Sequence, residues 1–229
     1  MPWRRVVLAL LAILVAFLAW ISWEIWRWPD VAALAERPPD TTALIEAHRR
    51  RGESVEWRVV PYSAISGHLK RAVLVAEDID FFSHGGFATG EIRTALEEAI
   101  RDGKRLRGAS TITQQLAKNL WLSTARSPLR KAKEAILTAQ LERALSKRRI
   151  LELYLNVVEF GPGRFGAEAA SRHYFGKPAA ALDVAEAAAL AAGLPHSQWH
   201  PGADSRAYRA HRDRVLRRME KALWLEREI

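Results

Sequence analysis

Three short segments gather side chains suited to acid–base and anion chemistry. The first is AEDIDFFSHGGF, residues 76–87, in which Glu77 and Asp78 stand near Phe81, Phe82 and Phe87. Apolar surroundings disfavour a carboxylate's charged form. Its pKa then rises toward the range where it can accept a proton from a hydroxyl. A solvated pair of acids at a helix end is the competing reading. The second is GASTITQQLAKNLWL, residues 108–122. Ile112, Leu116 and Leu120 recur every four residues as an apolar stripe. Thr111, Gln115 and Lys118 fall on another face, at spacings of four and three. That face offers hydroxyl, amide and ammonium groups. Ser110 and Thr111 lie at the helix start, where free backbone N–H groups favour anions. A phosphorylated or sugar ligand suits this surface, although an ordinary polar helix face has the same make-up. The third is RKAKEAILTAQLE, residues 130–142. Arg130 and Lys131 precede Glu134 by four and three residues, so both reach it. Such a trio is either a surface ion cluster, worth little, or a holder for a diphosphate.

Other chemistries find no support. The chain has no cysteine, which excludes thiol catalysis and thiolate metal sites. Its seven histidines show no HExxH-like spacing. There is no GxSxG motif and no glycine-rich phosphate loop. Lys147, Arg148 and Arg149 open a helix, where cations gain nothing from the dipole, so they are expected to be mostly solvated.

The elements that must position these groups are mostly helices. Residues 41–51 predict a short helix and 55–62 an extended segment. Helices follow over 66–78, 91–101, 110–122, 129–145 and 147–158. Thr111 with Gln114, and Asp183 with Glu186, have capping-box spacing. Ile136, Leu137, Leu141 and Ala144 are expected on the buried face of the 129–145 helix. Ile150, Leu151, Tyr154 and Val158 are expected inside the next one. Gly161, Pro162 and Gly163 stop it. An Ala-rich helix follows Asp183 and ends at Gly193 and Pro195. A basic amphipathic helix closes the chain over 208–225, with Val215, Met219 and Leu223 as its stripe.

The amino-terminal run over 6–23 holds eighteen residues without a charge. That is close to the length needed to cross a hydrocarbon core. Arg4 and Arg5 precede it, which favours a cytoplasmic N-terminus, and Trp20, Trp23, Trp26 and Trp28 cluster at its far end. The run exceeds an ordinary signal-peptide core, and the small-residue triplet Ala33-Leu34-Ala35 lies well beyond it. A retained anchor is therefore expected. The 229 residues divide into a cytoplasmic tip and anchor over 1–28, a linker and domain entry over 29–62, and one domain over 63–229. The net charge of +9 calls for anionic partners. Export of the domain argues against nucleic acid.

In their joint order, these segments resemble the glycosyltransferase family 51 domain, found in class A penicillin-binding proteins and in monofunctional peptidoglycan transglycosylases. KRRILELYLNVVEFGPGRFGAEAASRHYFGK, residues 147–177, extends the likeness. The resemblance covers roughly 63–201 and the anchor. It implies a mainly α, lysozyme-like domain with a small membrane-dipping lobe, including residues 88–107, behind one transmembrane helix. It implies polymerisation of lipid II into β-1,4-linked glycan with release of undecaprenyl diphosphate, on the periplasmic face of a bacterial inner membrane, without transpeptidase activity. Glu77 matches the family's general base. Glu134 matches the second carboxylate, which helps the diphosphate leave directly or through a divalent cation, Mg²⁺ or Mn²⁺. No organic cofactor is implied, and the metal ligands are not assigned. Lys118, Arg130 and Lys131 match cationic diphosphate contacts. Thr111 and Gln115 match donor-side positions, and Ser110 and Asn119 join the substrate-binding set. Asp78, Phe81 and His84 match residues that shape and orient the site. The implied partners are lipid II, the growing glycan chain, membrane lipid and other cell-wall synthesis or division proteins. One departure is visible: Ala88 follows Phe87 where many relatives carry an acid. The rival readings are a lysozyme-type hydrolase, which needs no diphosphate-binding cations, and a non-enzymatic membrane scaffold.

Overall fold

The computed structural model describes residues 2–26, 28–88, 110–123, 125, 127–196, 198–203 and 205–229, except for the side chains of 2, 9, 20, 21 and 24–26. The expected 91–101 helix and nearly all of the expected 88–107 lobe lie outside the described residues. The chain separates into two units, residues 1–30 and 31–229.

The first unit is built on helix α1, Pro2–Trp26. Its apolar side chains, among them Leu8, Leu10, Ile13, Val15 and Leu18, are exposed. Among the described residues no helix is long and apolar enough to cross a membrane. The span expected over 6–23 thus rests on the sequence.

The second unit is mainly helical. Thr42 caps α2, Ala43–Arg50, by accepting the Ile45 N–H. Helix α3, Gly67–Glu77, is buried from Leu69 through Val75. Helix α4, Ile112–Trp121, begins with the expected capping box of Thr111 and Gln114. Helix α5, Pro128–Ala144, has Ser127 as its cap and Pro128 in its first turn, where proline's missing N–H costs nothing. Helix α6, Lys147–Val157, buries Ile150, Leu151 and Tyr154 as expected. Helix α7 is Ala167–Phe175. Helix α8, Val184–Ala191, carries the expected Asp183–Glu186 box. Helix α9 is Arg206–Lys221. Strands β1, Glu56–Trp57, and β2, Arg164–Phe165, pair in parallel.

Two layers of contact position the site. Helix α3 packs against α8 and α9, and α4 packs against α5 and α6. Phe81, Tyr154, Phe160 and Phe165 are all fully buried. Burial of large side chains of this kind supplies most of the driving force for the fold.

Several expectations need correction. Ile136 is 51% exposed, and Ala144 is exposed as well. The buried face of α5 is narrow, built from Glu134, Leu137, Thr138 and Leu141. Ile136 sits about 100° around the helix from Leu137, which carries it off that face. Leu223 is exposed too, because α9 ends at Lys221 and the chain tightens into a 3₁₀ turn, Leu223–Arg227, that buries Leu225 instead. Lys147 and Arg149 are not simply solvated. Lys147 pairs with Glu142 at 2.9 Å, while Arg149 pairs with Glu152 at 2.8 Å and donates to the Leu34 carbonyl at 2.7 Å. Residues from Val31 onward belong to the second unit. Asn156 of α6 fastens them by accepting from Trp57 Nε1 on its carbonyl at 2.7 Å and from the Val60 N–H on Oδ1 at 2.8 Å.

Candidate active site

Helix α3 delivers Glu77 as its last residue and Asp78 immediately after it. The two neighbours face different fates. Asp78 is buried and fully engaged: Oδ1 accepts from His84 Nε2 at 2.9 Å, and Oδ2 accepts the Ile112 N–H at 3.0 Å. His84 Nδ1 accepts the Gly86 N–H at 3.1 Å, which leaves the ring proton on Nε2, facing Asp78. Asp78 therefore bolts the first motif to the start of α4. Gly86 follows with φ of +86°, and its carbonyl accepts the Thr111 hydroxyl at 2.7 Å. Phe81 is fully buried behind the motif, edge-on to Phe82, with Lys147 Nζ over its ring at 4.4 Å.

These bonds change the reading of the α4 N-terminus. Its backbone donors were expected to be open to an anion. Instead Ile112 N–H is taken by Asp78, Gln114 N–H by Thr111, and Thr111 N–H by the Gln114 side chain. Thr111 is 2% exposed and serves as a cap. Three of the backbone donors at this helix start are therefore already taken.

Glu77 Oε2 accepts from Gln115 Nε2 at 2.6 Å. Burial pushes the Glu77 carboxyl above its ordinary value of 4.5, and the Asp78 charge adds to the rise. The Gln115 hydrogen bond and the Lys118 and Arg218 charges oppose it. The direction of the shift is the one expected from the sequence, and its cause is burial, with the Gln115 amide as a counterweight that local spacing does not show.

Gln115 opens onto a cleft of about 380 Å³ between α4 and α5. Ser110, Gln114, Gln115, Lys118 and Asn119 line one wall, and Arg130, Lys131 and Glu134 line the other. Leu44 of α2 closes part of it. Glu134 is 3% exposed, and its two oxygens are held separately, Oε2 by Arg130 Nη1 at 2.7 Å and Oε1 by Lys131 Nζ. Arg130 Nε is buried with no hydrogen-bond partner among the described residues. A cation with a spare buried donor beside an open cleft is suited to an oxygen-rich anion. Lys118 reaches solvent through the cleft mouth but is surrounded by protein. Desolvation pushes its pKa below the ordinary 10.5, and Arg130 and Lys131 add to that, while Glu134 and Glu77 pull it back up. Lys118 thus feels both carboxylates.

Of the residues singled out from the sequence, Ser110, Gln115, Lys118, Asn119, Arg130, Lys131 and Glu134 meet at the cleft, and Glu77 joins through Gln115. Asp78, Phe81, His84 and Thr111 stand behind its wall. Helical spacing places Tyr154 only in the core. It is fully buried, yet its hydroxyl donates to Gln115 Oε1 at 3.0 Å. No periodicity could show this, since a buried tyrosine fills the same helical position whether or not its hydroxyl is used.

The described residues do not fit a protein-bound metal. Among the described residues no group of three or more His, Asp or Glu could hold one. The one cleft-lining carboxylate, Glu134, already has both oxygens on cations.

Residues 43–220 match the transglycosylase family model. The chain belongs to this family. It is 47% identical over 201 residues to a biosynthetic peptidoglycan transglycosylase of Azoarcus sp. strain BH72, covering 85% of this chain and 87% of that one. The protein of the same description from Methylobacillus flagellatus is 45% identical over 204 residues, covering 86% of each chain. The one from Laribacter hongkongensis is 43% identical over 199 residues, covering 86% of this chain and 83% of that one. The family match spans the cleft and both carboxylates.

Proposed function

We propose that this chain is a peptidoglycan glycosyltransferase of bacterial cell-wall synthesis that polymerises lipid II into glycan strands, with a lysozyme-like catalytic domain. The observation that carries this reading is one cleft joining a desolvated carboxylate to a cation cluster. Glu77 lies at the Gln115 end, and Lys118, Arg130 and Lys131 surround the other.

In this reading Glu77 takes the proton of the acceptor sugar's 4-hydroxyl. The freed oxygen attacks C1 of the donor. A new C1–O4 bond forms as the C1–O bond to the diphosphate breaks, with inversion at C1. The electron pair leaves with undecaprenyl diphosphate, whose growing charge needs donors already in place. Arg130 supplies its spare Nε donor while it and Lys131 stay paired to the buried Glu134, and Lys118 joins from the facing helix. The charge is then carried by the chain's own cations. A divalent cation would enter with the diphosphate, not with the protein.

A lipid-borne substrate requires a membrane setting. The large apolar side chains of helix α1, among them Leu8, Leu10 and Ile13, are exposed, as those of a lipid-facing helix are. Together with the uncharged 6–23 run, this supports a single-pass anchor in the inner membrane, with the N-terminus cytoplasmic and the domain periplasmic. A leader cleaved after Ala35 fits less well. Leu34 is 6% exposed, and its carbonyl is bonded to Arg149. A lobe over 88–107 that dips into the bilayer belongs to the same proposal.

A hydrolase of finished glycan would have no use for three cations around one buried acid. The deciding experiment is polymerisation of labelled lipid II by the detergent-solubilised chain. Polymer formation supports transfer, whereas cutting of purified sacculi without lipid II would favour hydrolysis.

A further inference from the structure

Gln115 is the only described side chain that hydrogen-bonds Glu77, and an amide can turn either edge toward a neighbour. With its oxygen toward Glu77 it would repel the carboxylate; with its nitrogen toward Glu77 it stabilises the charge. Something must choose between these edges. In the structure, Tyr154 Oη donates to Gln115 Oε1 at 3.0 Å. Gln115 Nε2 then faces two acceptors, Glu77 Oε2 at 2.6 Å and the Ser110 carbonyl at 3.3 Å. Every group in the chain of bonds has a partner of the right sense.

We infer that Tyr154 is a positioning residue of the transfer reaction, whose hydroxyl fixes the Gln115 amide so that its N–H faces Glu77 and sets the pH at which that carboxylate becomes a base. The inference rests on the reading of Glu77 as the general base. The phenol is suited to the task because it is fully buried in α6 and packed among the core side chains. Burial and the nearby Glu77 and Asp78 charges hold its own pKa well above the ordinary 10, so it stays a donor at every pH the enzyme meets. Its stem cannot swing away without opening the core. The sequence carries both ends of the bond, Gln115 in one motif and Tyr154 in another, 39 residues apart.

A tyrosine kept only for packing would behave differently from one kept for its hydroxyl. Tyr154→Phe keeps the ring and removes the donor. Gln115 then loses its orientation, the carboxylate loses part of its support, and its proton is held more tightly. The test measures the pH dependence of kcat/KM for lipid II polymerisation by the full chain, which reports the free enzyme's groups. Wild type, Tyr154→Phe, Gln115→Leu, the double variant and Glu77→Gln are compared, with thermal melts of each. We expect the acid limb of Tyr154→Phe to move to higher pH by about half a unit to one unit, with the plateau rate within a few-fold of wild type. The limb of Gln115→Leu should move at least as far, and adding Tyr154→Phe to it should move the limb no further, because the hydroxyl acts through the amide. If Tyr154→Phe melts too low to assay, a double variant matching Gln115→Leu in a stabilising buffer still supports the inference, and a further shift overturns it. An unmoved acid limb in folded Tyr154→Phe, with Glu77→Gln inactive, would overturn the inference and leave the base intact. Wild-type activity in Glu77→Gln would instead remove the reading on which it rests.

Discussion

In the proposed reaction Glu77 and Lys118 carry the chemistry at the residue scale, and their environments shift them in opposite directions. Burial raises the Glu77 carboxyl above 4.5 and lowers the Lys118 ammonium below 10.5. A base must be unprotonated and a phosphate-binding ammonium must be protonated. Activity should therefore fall as pH drops through the raised Glu77 value and again as pH climbs through the lowered Lys118 value, giving a bell narrower than the ordinary values allow. Lys118→Arg keeps its charge across that range and should abolish the alkaline limb. An alkaline limb unchanged in this variant would assign it to another group.

The same desolvation has a stability consequence. A carboxyl raised in the folded state is protonated more readily there than in the unfolded chain. Ionisation then opposes folding, with no penalty below the unfolded value and the full penalty above the folded one. Glu77→Gln removes this penalty while keeping an oxygen for the Gln115 N–H. Thermal melts should show the variant at least as stable as wild type at neutral pH, with the difference shrinking at pH values below 4.5. A variant clearly less stable at neutral pH would mean that Glu77 supports the fold.

At the element scale the site depends on how the first motif is pinned to α4. Gly86 occupies a left-handed conformation, and a Cβ there would meet Glu142 Cγ at 2.8 Å and Thr138 Cγ2 at 2.9 Å on α5. Gly86→Ala should cost about 1–3 kcal/mol from strain and should also lower activity, because Thr111 and His84 both bond to this residue. Denaturant melts and initial rates check both. A neutral result would mean the turn can relax without α4. Much of this level was legible in the sequence. Helix periods, both capping boxes and the Arg130–Lys131–Glu134 trio depend on spacing of three or four residues, which sequence displays directly. The Asp78 link to Ile112 and the Tyr154 link to Gln115 join segments 34 and 39 residues apart. They are set by tertiary packing, and no local pattern signals them. The exposure of Ile136 has the same origin: helix α5 has the periodicity of a wider buried face than its neighbours cover.

For the whole molecule, the question is where the cleft works. A domain that draws on a membrane-borne lipid gains from being held at the membrane, since tethering raises the effective concentration of the site near its substrate. The intact chain should remain in carbonate-washed membranes, and its N-terminal sequence should begin before Ala33. A mature protein starting at Glu36 would contradict the anchor and make the first 35 residues a leader. The fold also bears on this point. Ala32–Ala35 form a 3₁₀ turn against the domain and have a packing role there that a discarded leader would lack.

The most direct test of the central claim is polymerisation of labelled lipid II by the solubilised chain beside its Glu77→Gln variant, with circular dichroism to confirm that both are folded. The account predicts glycan polymer from the wild type and a rate at least ~10²-fold lower from the variant, the scale of a lost general base. Equal rates in two folded proteins would contradict the assignment of the base, and no polymer from a folded wild type would contradict the transfer reaction itself.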